Sequence, residues 1–400
     1  MPTPVRAAAE ALSDTLSAWR RHLHAHPELS GQEAETARYV ATELRRLGYQ
    51  PREQIAGTHG LVADLLPDAP TETPAVALRA DMDALPITEE TGAAYASQRP
   101  GVMHACGHDA HMAMLLGAAA LLAERRRELR APVRLIFQPS EEKSPGGAAP
   151  LVAAGVLDGV GEVYGLHIWS EMPVGTLGTR VGPFMSATNE LRITITGRGG
   201  HAAMPQQCVD PIVVAAELIL ALQTIVSRAI AMTDSAVVSI TQVQGGSASN
   251  IIPEMVELRG TVRTLSEPVR AIVCARIHEL ATGVARNHGA AAEVAIRDGY
   301  PAVVNDANAV SRALAAARAI GITESEIVTT PPQGGGEDFA YYALKVPGAF
   351  LFLGGRNEAK GCCHPHHHPR FNIDEAALPI GAALLTQVAL DWGAAGKAPR

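Results

Sequence analysis

Between residues 101 and 111 the chain reads Gly-Val-Met-His-Ala-Cys-Gly-His-Asp-Ala-His, placing one thiol, three imidazoles and a carboxylate just ahead of a strongly apolar run. Thiolate and imidazole together are the ligand set that borderline divalent cations such as Zn²⁺, Ni²⁺, Co²⁺ or Mn²⁺ accept. Cys106 and His108, two apart in a loop, can face one ion. Cys106 has an alternative role as a catalytic nucleophile, its thiolate favoured by the helix N-terminus that follows and by a neighbouring His. A second group stands at 141–142, where the apolar run 133–137 reads as a buried strand and leads through Gln138-Pro-Ser to Glu141 and Glu142. Adjacent residues of an extended backbone point to opposite sides, so one carboxylate can bind metal while the other faces the open position as a general base. Taken singly, the Glu-Glu pair reads as a solvated loop. His167 is embedded in the apolar strand 164–169, where a hydrogen-bonded core histidine is the plain alternative. The run Cys362-Cys363-His364-Pro365-His366-His367-His368-Pro369 closes the series with four imidazoles in five residues.

These segments and others carry a resemblance. Leu78-Arg-Ala-Asp81-Met-Asp83-Ala-Leu-Pro86, His104-Ala-Cys106-Gly-His108-Asp-Ala-His111, Gln138-Pro-Ser-Glu141-Glu142, Gly165-Leu-His167, Gly199-Gly-His201-Ala-Ala-Met-Pro205, Ser249-Asn250-Ile-Ile-Pro253, Gly335-Gly-Glu337-Asp338-Phe339 and His367-His-Pro369-Arg-Phe371 resemble the metal-dependent amidohydrolases of the hippurate hydrolase and N-acyl-amino-acid deacylase type. That family includes auxin–amino-acid conjugate hydrolases, and some relatives are carboxypeptidases. The match runs from about His22 to the C-terminal helix. It implies two divalent ions per subunit (Mn, Zn, Ni or Co), held by Cys106, His108, Glu142, His167 and His367, with Glu141 as the general base. His364, His366 and His368 compete for the last ligand position; His367 keeps the His-x-Pro-x-Phe spacing. Asp83, and Asp81 with it, would orient a ligand from behind, although an Asp in a turn can be only a cap. His201 would donate to the developing oxyanion and Asn250 would hydrogen-bond substrate. Arg263, near a strand end, can clamp a substrate carboxylate, the alternative being an ordinary edge-strand arginine.

The elements that must position these residues alternate. Helices are expected at 10–24 and 33–47, strands at 60–66 and 75–81, a long helix at 109–128, strands at 133–137 and 163–168, and helices at 307–319 and 373–392. This is the rhythm of an α/β fold with a mostly parallel, mixed sheet flanked by helices; the resemblance makes it a zinc-exopeptidase-like catalytic domain. Such sheets place their sites beyond strand ends. Between 190 and 297 the order becomes β-α-β-β-α-β, a ferredoxin-like α+β unit. The expected division is therefore a catalytic metal-binding domain at 1–184 and 298–400, interrupted by an inserted domain at 185–297, with hinges at Gly182-Pro183 and Asp298-Gly299. By resemblance the insert is a lid and joins subunits into a homodimer or homotetramer.

Composition narrows the partners. A net charge of −8 with scattered arginines gives no basic stripe, which argues against nucleic acid. Runs of eighteen apolar residues are all broken by a charge or polar residue, so no membrane association is expected. The opening Met1-Pro-Thr-Pro-Val-Arg lacks a signal-like apolar region, and five cysteines at 106, 208, 274, 362 and 363 form no paired framework, so a reducing, cytoplasmic setting is expected. The activity implied is hydrolysis of an N-acyl amino acid carrying a free carboxylate. A carboxypeptidase or dipeptidase on the same fold, and a catalytically silent metal-binding dimer, are the alternatives; Glu141 argues against silence, since a structural site has no use for a base beside its ligand.

Overall fold

A computed structural model describes residues 3–393, which divide into two compact units. The larger comprises the chain up to Gly182, Val304–Pro331 and the segment from Asp338 onward. Its seven-stranded sheet runs in the order Leu61–Leu65, Val133–Gln138, Ala75–Asp81, Val160–Pro173, Gly348–Arg356, Leu177–Thr179, Ile327–Thr329. The four strands from Val133–Gln138 to Gly348–Arg356 are mutually parallel, and Leu61–Leu65 caps one side antiparallel. Every residue of Ala75–Asp81 is buried, as a parallel strand covered on both faces must be. Strand Gly348–Arg356, Gly-Ala-Phe-Leu-Phe-Leu-Gly-Gly-Arg, was not anticipated, although its continuous apolar run is what a doubly covered strand looks like.

The long helix occupies His108–Glu124, ending before the expected 128 because Arg126–Glu128 tighten into a 3₁₀ turn. Its residues from His108 to Leu122 are all buried, so it has no solvent face and lies in the middle of the core. Burial of each of its Leu115, Leu116, Leu121 and Leu122 side chains contributes about 1.5–3 kcal/mol. Gly117 lets two further helices approach: a Cβ there would meet Leu16 Cδ2 at 2.5 Å and Ala382 Cβ at 2.9 Å. These neighbours come from helices Ser13–Ala25 and Ala377–Asp391.

The smaller unit spans Pro183–Val303 and takes in Pro332–Glu337. Beyond the expected 185–297 it takes in 332–337, which returns beside residues 184–186: Ser186 N–H donates to Gln333 O and Gln333 N–H to Phe184 O. The unit is an antiparallel sheet in the order Ala291–Asp298, Ala187–Thr196, Met255–Thr264, Ala236–Gly245. Alternate residues Leu191, Ile193 and Ile195 face a core completed by Val214, Leu218 and Leu222 of helix Pro211–Thr224 and Val273 and Ile277 of helix Glu267–Asn287. The helical stretch Pro211–Ala229 is long and apolar enough, by length and composition alone, to cross a membrane. Glu217 and Arg228 lie within it, and its Val214–Leu218–Leu222 stripe is spent on the unit's own core.

Candidate metal centre

All five expected ligands belong to the larger unit. Gly107 sits at φ +92°, and a Cβ there would stand 2.1 Å from Ile168 Cγ2, so only glycine lets Cys106 and His108 approach the Val160–Pro173 strand this closely. His108 opens its helix with Nδ1 2.9 Å from the Asp83 backbone carbonyl, which fixes the ring and turns Nε2 inward. His167 Nδ1 pairs with the Ile168 carbonyl at 2.6 Å, and its Nε2 stands 3.5 Å from Cys106 Sγ. His367 N–H donates to Ala105 O at 2.8 Å, anchoring the C-terminal loop beside Cys106, and His367 Nε2 lies 3.3 Å from Glu142 Oε1.

Two triads result. The ligand atoms of Cys106, His108 and His167 lie within 4.8 Å of one another, as do those of Cys106, Glu142 and His367. Cys106 belongs to both. Metal bonds of about 2.0–2.3 Å at tetrahedral angles put neighbouring ligand atoms about 3.3–3.8 Å apart, which matches the 3.5 Å and 3.3 Å contacts. His108 Nε2 is buried with no hydrogen-bond partner, 3.9 Å from Glu142 Oε1. An atom so placed costs about 1–3 kcal/mol unless something coordinates it. The residues present therefore fit a pair of divalent cations.

Electrostatics agree. Burial, with the Glu142 and Glu141 carboxylates, drives the Cys106 thiol well above its ordinary range. A reactive nucleophile needs the reverse, so this environment disfavours the nucleophile alternative; a cation is what would draw out the thiolate. Burial lowers the His108 pKa, yet Asp81, Asp83 and Glu142 outweigh it and raise it to about 10. Anions here call for positive charge.

The neighbouring imidazoles have other work. His366 is half-buried, with Nε2 3.0 Å from the Ile168 carbonyl and Nδ1 3.2 Å from Ser170 Oγ, bolting its loop to the His167 strand. Burial pushes it down to about 4, so it is neutral. His364 stacks on His368 at 4.5 Å, and His368 Nδ1 accepts the Arg370 N–H.

The glutamates converge rather than diverge. The strand ends at Gln138 and Ser140 turns at φ +57°, so the backbone of 140–142 is not extended and the opposite-sides argument does not hold. Oxygens of Glu141 and Glu142 and a nitrogen of His108 lie within 4.8 Å of one another. Asp83 sets this turn: Oδ1 accepts the Glu141 N–H and Oδ2 the Glu142 N–H, both at 2.9 Å, and Ser30 Oγ donates to Oδ2 at 2.6 Å. Asp81 lies one layer back, 2.6 Å from His111 Nδ1 and 2.7 Å from Arg79 Nη1. Arg79 and Gln138 in turn hold Asp338. Arg79, Gln138, His111 and Asp338 were given no role from sequence; the signal available was Arg79-x-Asp81, whose period of two puts both on one strand face.

His201, Asn250 and Arg263 lie in the smaller unit. Strand Gly200–His201 pairs with Ile251–Ile252, with His201 opposite Ile251, and Ala202 N–H donates to the Asn250 carbonyl, so this ribbon brings His201 and Asn250 together. His201 is exposed and its Nδ1 accepts the Ala203 N–H at 3.1 Å. Arg263 donates from Nε to Gly334 O at 3.1 Å and from Nη1 to Val262 O at 3.0 Å.

Comparison with known proteins follows the same line. The model of peptidase family M20/M25/M40 matches residues 77–391. An N-acetylcysteine deacetylase of Bacillus subtilis is 40% identical over 383 residues, covering 96% of this chain and 98% of that one. Thermostable carboxypeptidase 1 of Saccharolobus solfataricus is 40% identical over 373 residues, 93% of each. The crystal structure of a dinuclear metal-binding peptidase of the M20 family from Bacillus subtilis superposes with a TM-score of 0.84 at 38% identity, covering 95% of this chain and 98% of that one. With a cation-seeking cluster and relatives of this similarity, the chain is a hydrolase of amide bonds and belongs to peptidase family M20/M25/M40.

Proposed function

We propose that the protein hydrolyses the amide bond of N-acyl amino acids, releasing a carboxylic acid and a free amino acid. The observation that carries this reading is the pair of triads sharing Cys106, with Glu141 beside them. Cys106, His108, Glu142, His167 and His367 would hold two divalent ions, which when bound lower the pKa of a water to about 7 and polarise the scissile carbonyl. Glu141 takes the proton from the attacking water and returns it to the leaving amine. Asp83 holds the backbone on which Glu141 and Glu142 are carried. His201 donates to the developing oxyanion, and Asn250 and Arg263 bind the substrate's carboxylate end.

In this reading the smaller unit is a lid and a subunit contact. Helix Pro211–Thr224 exposes Ile212, Val213 and Leu220, and the edge strand Ala236–Gly245 exposes Val237 and Val243, the last three at 72%, 49% and 58%. Apolar groups on an open edge call for a partner, and a second copy of the chain supplies one. All five cysteines are free, in keeping with a cytoplasmic setting.

The carboxypeptidase reading is kept by one observation, the 40% identity to the Saccharolobus enzyme. Comparing N-acetyl-, N-benzoyl- and dipeptide substrates on one preparation decides between them. Turnover is expected on the N-acyl amino acids; turnover confined to peptides transfers the assignment to the second reading.

A further inference from the structure

Three consecutive amides, those of Ser140, Glu141 and Glu142, donate to buried carboxylates. Two go to Asp83. The third, Ser140 N–H, goes to Glu33 Oε1 at 2.8 Å, an oxygen that also accepts the Gly31 N–H at 2.9 Å and the Ser140 hydroxyl at 3.2 Å. Glu33 stands just ahead of helix Ala34–Arg46, is fully buried, and its Oε2 has no hydrogen-bond partner. It belongs to neither triad and nothing in the mechanism above uses it. A buried carboxylate is expensive, and a fold keeps one where its hydrogen bonds fix something.

What it fixes is Ser140. At φ +57° this residue holds a left-handed conformation that a side chain other than glycine's keeps only when its surroundings impose it. Released to an ordinary φ, the backbone would rotate the two residues that follow, and those are Glu141 and Glu142. We infer that Glu33 is a positioning residue: with Asp83 it clamps the turn at 140–142 and thereby aims the base and the acidic ligand. The inference rests on the roles proposed for Glu141 and Glu142.

Two conservative variants separate reach from charge. Glu33→Asp keeps the charge and withdraws the acceptor by one methylene; Glu33→Gln removes the charge and leaves an oxygen at full reach. Hydrogen exchange over residues 138–144 reads the clamp directly, and kcat and KM are measured with Mn²⁺ at saturation. Glu33→Asp is expected to exchange at least about tenfold faster there, with Glu33→Gln within about threefold of the wild type. In step, kcat should fall about 10- to 100-fold in Glu33→Asp with KM nearly unchanged, and recover in Glu33→Gln. Unchanged exchange in Glu33→Asp, faster exchange without loss of kcat, or a Glu33→Gln variant as impaired as Glu33→Asp would each overturn the inference. A wild type that cleaves no amide substrate would remove the proposed chemistry, while the exchange measurement would still decide whether Glu33 holds the turn.

Discussion

His367 Nε2 stands 3.3 Å from Glu142 Oε1, a contact that ties the His-rich loop to the turn after the Val133–Gln138 strand. Because Cys106 is common to that pair and to His108 and His167, the variants should not be equivalent. Purified without chelator, the wild type is expected to carry about two divalent ions per chain. His367→Ala and Glu142→Gln should lower metal content toward one, whereas Cys106→Ser should weaken both sites. Elemental analysis gives the answer; full turnover in metal-free protein would contradict the proposed function.

Glu141→Gln should keep fold and metal and lose turnover, because the amide fills the same space but takes no proton. A fall in kcat of about 10² to 10⁴ is expected, and a fall smaller than tenfold counts against the role. Pairing this variant with Glu142→Gln makes the assay sharp: both lose activity, but only Glu142→Gln should lose metal.

A pH-sensitive element is built around His24. His24 is buried between Asp109, 2.8 Å from Nδ1, and Glu89, 3.2 Å from Nε2, while Arg20 Nε donates to Asp109 at 3.0 Å. Burial lowers the His24 pKa, but the bonds to Asp109 and Glu89 outweigh it and raise it above 6.5. A raised histidine pKa means that the folded protein binds a proton the unfolded chain has released. Its stabilisation is therefore complete below about pH 6.5 and fades as pH rises through the folded-state value. Melting temperatures of wild type and His24→Gln should differ most at mildly acid pH and converge toward alkaline pH. A gap that widens with pH would reverse the assignment.

His201→Ala is expected to lower kcat by about 10² to 10³ with metal content intact, as loss of an oxyanion donor does. Light scattering tests the subunit contact, for which at least a dimer is expected. If the donor acts across that dimer, mixing His201→Ala with Glu141→Gln subunits should restore part of the activity. A mixture no more active than its parents after exchange confines His201 to its own chain.

The candidate ligand loop was legible as a cluster because Cys106, Gly107 and His108 are neighbours in sequence, and a loop leading into a helix leaves little freedom in how they face. Strand and helix order was legible for the same local reason, with Ala75–Asp81 and Ala307–Ala319 at their expected limits. Tertiary context decided the rest. Nothing around Glu141 announces that Ser140 takes a left-handed turn, because the cause is Asp83 and Glu33, far away along the chain. Strand Gly348–Arg356 went unread although its apolar run is of the same kind as 133–137; a run without a period fits a buried helix segment as well as a strand, and this one carries no candidate ligand. Segment 332–337 joins the smaller unit through backbone bonds to Phe184 and Ser186 that no side-chain pattern encodes.

The order in which the chain is made bears on how the centre assembles. Cys106, His108 and His167 all precede the smaller unit, whereas His367 follows both of its segments. During synthesis all three residues of the first triad are made before the smaller unit, whereas the second triad cannot be completed until both segments of that unit and the strand Gly348–Arg356 have been made. One triad draws on the first half of the chain alone; the other needs residues from both ends of it.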